Sequence, residues 1–136
     1  MPRSLQNGPH LLNANTITDV VEQERLGVYS QGYFKPGDKD MAVLRTGRSD
    51  TDLRSRLLRY VQNVEDAWDA RGCSYFYIEY TSSIEETYRL ECQLFHDFRP
   101  PNNSDHPPRP KDWPKTKRLT CPVAGCRYSK WPPLDD

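Results

Sequence analysis

The rhythm of apolar and polar residues changes several times along the chain, and each change marks an element. Thr16 or Thr18 is placed to cap a short helix running through Val20, Val21 and Glu24. Gly27 to Phe34 then reads as a strand. Lys35-Pro36-Gly37-Asp38 has turn chemistry, because proline presets φ and glycine accepts positive φ. Met41 to Thr46 returns as a second strand, with Ala42, Leu44 and Thr46 alternating against Val43 and Arg45, so the two make a hairpin. Asp50-Thr51-Asp52 offers a cap for a long helix from Leu53 to Ala70, whose apolar stripe runs Leu53, Leu57, Val61, Val64, Trp68. Arg71-Gly72 ends it. Tyr75 to Thr81 is rich in strand formers, and Ser83-Ile84-Glu85-Glu86 matches a capping box that opens a last helix through Phe98. Arg99-Pro100-Pro101 stops that helix. The expected fold is α+β: a small three-stranded antiparallel sheet flanked by helices.

Composition narrows this picture. The chain has 136 residues, of which 35% are hydrophobic, with a mean hydropathy of -0.90, so it has room for one modest core. No apolar run is long enough to span a bilayer. Met1-Pro2-Arg3-Ser4-Leu5 lacks the apolar region of a secretory signal. The 4 cysteines have irregular spacing, which favours reduced thiols over a disulfide framework. A cytoplasmic or nucleoid-associated protein is expected, not a secreted one.

Nine of the 12 prolines follow residue 99, and the charge changes there as well. Residues 1–98 carry a formal -4 and residues 99–130 a formal +6. We divide the chain into a loose leader at 1–15, a packed domain at 16–103, and an irregular, basic, Pro-rich arm at 104–136. A basic arm on a mildly acidic body suits contact with phosphates, or serves simply as a solubilising extension. Trp113, Tyr128 and Trp131 interleave with Lys111, Lys115, Lys117, Arg118, Arg127 and Lys130. Such rings can stack bases, or fold the arm back on the domain.

The layout gathers a polar constellation. Tyr29 lies on the first strand and Arg45 on its partner, and Gly47-Arg48-Ser49 is expected to form the exit turn. Arg56 sits one turn into the long helix, and Glu91 lies between Leu90 and Leu94 on the last helix. Phenol, guanidinium and carboxylate together suit phosphodiester hydrolysis, in which a glutamate holds a divalent metal and an arginine meets the developing charge.

Gly27-Val28-Tyr29, Arg45-Thr46-Gly47-Arg48-Ser49, Asp52-Leu53-Arg54-Ser55-Arg56-Leu57, and Leu90-Glu91-Cys92-Gln93-Leu94-Phe95 followed by Arg99-Pro100 and Asn102-Asn103 occur in an order that resembles the GIY-YIG nuclease superfamily. Over roughly residues 26–103 the chain is similar to the incision domain of the bacterial excision-repair nuclease. The resemblance implies that Tyr29 positions or activates the attacking water, Arg56 binds the scissile phosphate, and Glu91 holds one Mg²⁺ or Mn²⁺. It also implies that Asn103 fixes the wall of the site, and that Arg48 is a basic residue beside the phosphate. The expected activity is endonuclease cleavage of nucleic acid, DNA in the first instance. One departure stands out: the second family tyrosine is replaced by Arg45, which can bind phosphate but cannot act as a base. Tyr33 is four residues after Tyr29, about 13 Å along a strand, and is a distant substitute. A catalytically weak or inactive module binding nucleic acid or a protein partner is the alternative.

Other assignments remain open at this level. Arg54, Arg56 and Arg59 with Asp50 and Asp52 could form a solvated helix face, and Glu91 could pair with Arg56 or Arg89. Cys121 and Cys126, with Pro122 and Gly125 between them, resemble a zinc knuckle. A structural Zn²⁺ needs further ligands, for which His106, His96 and Cys73 are available. Cys73 and Cys92 are otherwise small buried hydrophobes.

Overall fold

The computed structural model describes residues 5–131. Its elements are β1 (His10–Leu11), α1 (Ala14–Val20), β2 (Gly27–Tyr33), β3 (Ala42–Ser49), α2 (Leu53–Gln62), α3 (Val64–Asp69), β4 (Tyr75–Tyr80) and α4 (Ile84–Phe98), with a 3-10 turn at Arg127–Ser129. The class is α+β, as expected. The sheet has four strands rather than three, all antiparallel, in the order β1-β4-β2-β3. The extra strand comes from the leader: His10 pairs with Phe76 and Leu11 with Tyr75. Asn13 caps α1, its side chain accepting from the Thr16 backbone N–H at 2.8 Å, so Thr16 and Thr18 lie within the helix.

The period of two puts successive β2 side chains on opposite faces. Tyr29 faces α1 and α2, where Ile17, Val21, Leu53, Leu57, Phe76 and Ile78 close the main core. Val28 faces α4 and packs with Leu90 and Leu94. The two helical layers therefore cover both faces of a sheet whose centre is β2.

The expected Leu53–Ala70 helix is broken in two. Asn63 adopts an extended backbone (φ -111, ψ 121), which ends α2 and lets its side chain cap α3 by accepting from the Glu65 N–H at 2.9 Å. The stripe follows the break. Leu53 and Leu57 are buried, whereas Val64 is 89% and Trp68 68% exposed. Tyr60 takes the next core position instead. The capping signals at the other helices hold: Asp52 accepts from the Ser55 hydroxyl at 2.8 Å, and Ser83 accepts from the Glu86 N–H at 3.1 Å. Gly47-Arg48-Ser49 is not an exit turn, because β3 continues through Ser49.

The segment after α4 seals the β3 edge, which would otherwise offer unpaired backbone groups. Asn102 N–H donates to the Leu44 carbonyl at 2.8 Å, and the Asn102 amide donates to the Asp69 and Arg71 carbonyls, each at 3.0 Å. Asn103 bonds Thr46 in both directions, its oxygen accepting from Thr46 N–H at 3.0 Å and its nitrogen donating to Thr46 C=O at 2.9 Å. The irregular arm beyond packs on α4 through a few of its residues. Leu119 and Cys121 are buried with Tyr88 and Cys92 of α4, and Trp113, Val123 and Tyr128 pack around them. The aromatic residues of the arm thus cover α4, which adds a satellite core to a small domain.

Candidate active site

Residue pairing explains why the cleft forms where it does. Tyr29 stands opposite Gly47 across the β2–β3 ladder, and Val28 stands opposite Arg48. Antiparallel partners share a face, so Arg45 and Gly47 lie on the Tyr29 side and Arg48 on the α4 side. Tyr29, Arg45, Gly47, Arg48, Asp50, Arg56, Glu91 and Pro108 line a cavity of about 360 Å³ that wraps around the β3 edge. Five residues singled out from the sequence (Tyr29, Arg45, Arg48, Arg56 and Glu91) are therefore brought to one cleft by four different elements. Asn103 is beside it, lining an adjoining hollow of about 170 Å³ with Arg45, Glu91 and residues 104–108.

Gly47 is dictated by Tyr29. A Cβ on residue 47 would run into the Tyr29 hydroxyl and the ring carbon that bears it. The ring lies across the bare backbone, which is the use of a strand glycine where another group approaches closely. Tyr29 is only 1% exposed, and its hydroxyl makes a short hydrogen bond to the Tyr60 hydroxyl. The two rings meet edge to face at 5.5 Å. Burial pushes the Tyr29 phenol well up, the neighbouring Tyr60 adds to this, and Arg56 and Arg45 only partly oppose it. Tyr29 is thus a neutral hydrogen-bonding group, suited to orienting a water rather than to serving as a ready phenolate.

Two guanidinium groups face these phenols. The Arg56 guanidinium lies 5.6 Å from the Tyr60 ring centroid, and burial of its charge is outweighed by the phenol oxygens, which keep it protonated. Arg45 donates to the Asn102 carbonyl at 3.2 Å and lies 4.0 Å from Asp69. Among the described residues, neither Arg45 Nε nor Arg56 Nε has a hydrogen-bond partner although both are buried. Buried donors without partners are costly, and these two belong to side chains that line the cleft. Gln31, opposite Arg45 in the ladder, is also buried with neither amide atom bonded among the described residues.

Arg48 is differently engaged. Its fork donates to Asp50 at 3.0 Å, to Glu91 Oε1 at 2.6 Å and to the Pro108 carbonyl at 2.7 Å. It clamps two carboxylates and the arm while lining the cleft. Glu91 pairs with Arg48, not with Arg56 or Arg89. Burial pushes the Glu91 carboxyl up and Arg48 pulls it back, leaving it above the usual carboxylate value. Arg54 and Arg59 stay outside the cleft, the first donating to the Val21 carbonyl at 2.6 Å and the second to Asp66 at 2.9 Å. Tyr33 lies at the far end of β2, beyond the irregularity between Gln31 and Gly32.

Sequence reasoning missed Tyr60 and the part played by Asp50. Tyr60 was legible in principle, because Leu53, Leu57 and Tyr60 follow i, i+4, i+7 on one helical face.

A second cluster lies where the arm meets the end of α4. His96, His106, Cys121 and Cys126 bring one donor atom each to within 4.8 Å of one another and could hold a metal ion. Cys73 is not part of this group and packs at the main core. The Cys92 thiol donates to Cys121, which with His106 lowers the Cys121 thiol against the effect of burial. No helix among the described residues is long and apolar enough to cross a membrane.

No family model, curated protein or solved structure matches the chain.

Proposed function

We propose that the chain is a divalent-metal-dependent endonuclease that hydrolyses nucleic-acid phosphodiesters, with DNA as its first-choice substrate. The observation that carries this reading is the single cleft lined by Tyr29, Arg45, Arg56 and Glu91. A phosphodiester brings two charged oxygens and acquires more negative charge as water attacks. The guanidinium groups of Arg45 and Arg56 line the cleft and supply donors for that charge in a partly desolvated setting. Tyr29, held neutral and clamped to Tyr60, orients the attacking water. In this reading Tyr60 supplies the second phenol of the site, at the place where Arg45 stands instead of a tyrosine on β3.

The carboxylates fit a Mg²⁺ or Mn²⁺ ion. Arg48 engages one oxygen of Glu91, and an ion that keeps most of its waters needs only the other. Asp50, on the opposite side of Arg48, lines the same cavity and offers a second hard ligand. The ion would supply Lewis-acid stabilisation of the phosphoryl oxygens. Beyond Pro108, the arm continues into a groove of about 480 Å³ lined by Tyr88, Arg109, Trp113, Lys115, Arg127 and Tyr128, a cationic and aromatic track for a strand.

The Arg48–Glu91 pair also supports the second reading, a GIY-YIG-like module that binds nucleic acid or a protein partner without cutting. The test separates the two. Labelled duplex, single-stranded and branched DNA are incubated with protein and Mg²⁺, Mn²⁺ or EDTA, beside Glu91→Gln. Glutamine keeps an acceptor for Arg48, whereas alanine would leave a buried cation unpaired. The nuclease reading expects metal-dependent cutting that falls at least about a thousandfold in the variant. Binding without cutting on every substrate, with either metal, would replace it with the binding module.

A further inference from the structure

We infer that His96, His106, Cys121 and Cys126 form a structural Zn²⁺ centre that pins the arm to α4 beside the cleft. This inference stands apart from the nuclease reading: none of its four ligands lines the Tyr29–Glu91 cavity, and His106 borders only the adjoining hollow and the arm groove.

The four ligands come from distant parts of the chain. His96 is in the last turn of α4, His106 lies in the segment after the Asn103 staple, and Cys121 and Cys126 flank a tight loop. Their donor atoms lie within 4.8 Å of one another. Zinc bonds of about 2.3 Å to sulfur and about 2.0 Å to nitrogen set tetrahedral ligand atoms roughly 3.3–3.8 Å apart. A contraction of about an ångström closes the site, within reach of side-chain rotation.

The histidines show an independent sign of a missing ligand. His96 Nε2 and His106 Nε2 are both buried and, among the described residues, neither has a hydrogen-bond partner. His106 Nδ1 lies 2.9 Å from the Pro107 carbonyl, which can only accept. That contact places the ring proton on Nδ1 and leaves Nε2 with its lone pair, the arrangement by which outer hydrogen bonds fix a metal-binding tautomer. Two buried imidazole nitrogens without hydrogen-bond partners, gathered with two sulfurs in one cluster, are explained by a cation.

The loop and its surroundings are built to hold thiolates. Cys126 Sγ accepts from the Tyr128 N–H at 3.4 Å, and the Cys121 N–H donates to the Tyr128 carbonyl at 2.9 Å, so the chain after the second cysteine folds back on the first. Gly125 has φ +86, which lets the loop turn into Cys126. His106 stacks on Tyr128 at 4.3 Å, and the Phe95 ring meets both His96 and His106 at 5.6 Å. These rings hold the imidazoles in place, and the two-nitrogen, two-sulfur set prefers Zn²⁺ to Mg²⁺ or Mn²⁺.

The consequence is mechanical. His106 is two residues from Pro108, whose carbonyl receives Arg48 at the mouth of the cleft. The satellite core beneath the arm is small, so a metal cross-link supplies much of what holds it to α4.

The experiment measures metal content of the intact protein, purified under reducing conditions and supplied with Zn²⁺, then replaced with Co²⁺. About one equivalent of zinc per chain is expected, and the Co²⁺ form should show tetrahedral d–d bands with thiolate-to-cobalt charge transfer. His96→Ala and Cys126→Ser should drop zinc to under about a tenth of an equivalent, and Cys73→Ser should keep all of it. Should the ligand variants fail to fold, release of zinc from the native protein by a thiol-modifying reagent, read with a chromogenic chelator, gives the same answer. Absence of zinc after loading would overturn the inference, as would full zinc in both ligand variants. So would a chain lighter by one pair of hydrogens, with Cys92 and Cys121 joined to each other. None of these readouts depends on cleavage, so loss of the zinc centre and loss of the nuclease reading are distinguishable.

Discussion

The cleft at the β3 edge and the cluster in the arm sit a few residues apart through His106 and Pro108, yet their chemistry is opposite. The cleft offers carboxylates, guanidinium groups and phenols around an open volume of about 360 Å³, with Arg48 already balancing Asp50 and Glu91. The arm cluster offers imidazoles and sulfurs beside the Phe95 and Tyr128 rings, with no carboxylate among its four donors. Hard oxygen ligands with room for water suit an ion that is exchanged and does chemistry. Imidazole and sulfur ligands in a tetrahedral set suit an ion that stays. The difference lies in which donors the fold gathers at each place, oxygen at one and nitrogen and sulfur at the other.

The largest effect that separates the two regions should come from Gly47→Ala. The new methyl meets the Tyr29 hydroxyl, and a ring that is 1% exposed has nowhere to retreat. Overpacking together with loss of the Tyr29–Tyr60 bond should cost about 3 kcal/mol or more of stability, read by chemical denaturation. Zinc content of the folded fraction should not change, because β3 contributes nothing to the arm cluster. Zinc lost along with the cleft would show that the two regions are one cooperative unit.

Tyr60→Phe sharpens the comparison with a smaller perturbation. It keeps the ring and removes the hydroxyl that partners Tyr29 in the buried site. A cost of about 1–2 kcal/mol is expected. Metal-dependent cleavage should fall about a hundredfold as the remaining phenol loses its orientation. Unchanged cleavage would leave Tyr60 as a core residue and remove the second phenol from the site.

Most local signals in the sequence held where they acted within one element, although the cap of α1 falls on Asn13 and not on Thr16 or Thr18. The caps at Asp52 and Ser83, the β2–β3 hairpin and the strand at Tyr75–Tyr80 all follow from chemistry within a few residues. The helix break at Asn63 was hidden because an apolar stripe through Val64 and Trp68 imitates one continuous helix. The residues themselves are exposed once Asn63 turns the chain. Gly47-Arg48-Ser49 carries turn-forming residue types, but its glycine answers a ring on the neighbouring strand, which no local pattern can record. β1 escaped notice because two residues carry no period. In the site, order along the chain indicated Tyr29, Arg45, Arg56 and Glu91, while the Arg48–Glu91 pair and the Tyr60 hydroxyl depend on tertiary approach. The arm cluster was legible only as Cys121 and Cys126 with His96, His106 and Cys73 as candidates. The fold selects both histidines and leaves Cys73 aside.

The central claim is that the chain has a hard-ion site and a soft-ion site that load independently. Manganese binding to zinc-loaded protein, followed by electron paramagnetic resonance alongside zinc content, tests it directly on wild type, Glu91→Gln and His96→Ala. The account predicts that Glu91→Gln loses Mn²⁺ and keeps zinc, and that His96→Ala loses zinc. In the wild type, Mn²⁺ binding should weaken as pH falls through the raised Glu91 value, because only the ionised carboxylate holds the ion. Equal Mn²⁺ binding by Glu91→Gln, or Mn²⁺ that appears only when zinc is absent, would place the manganese elsewhere and contradict the account.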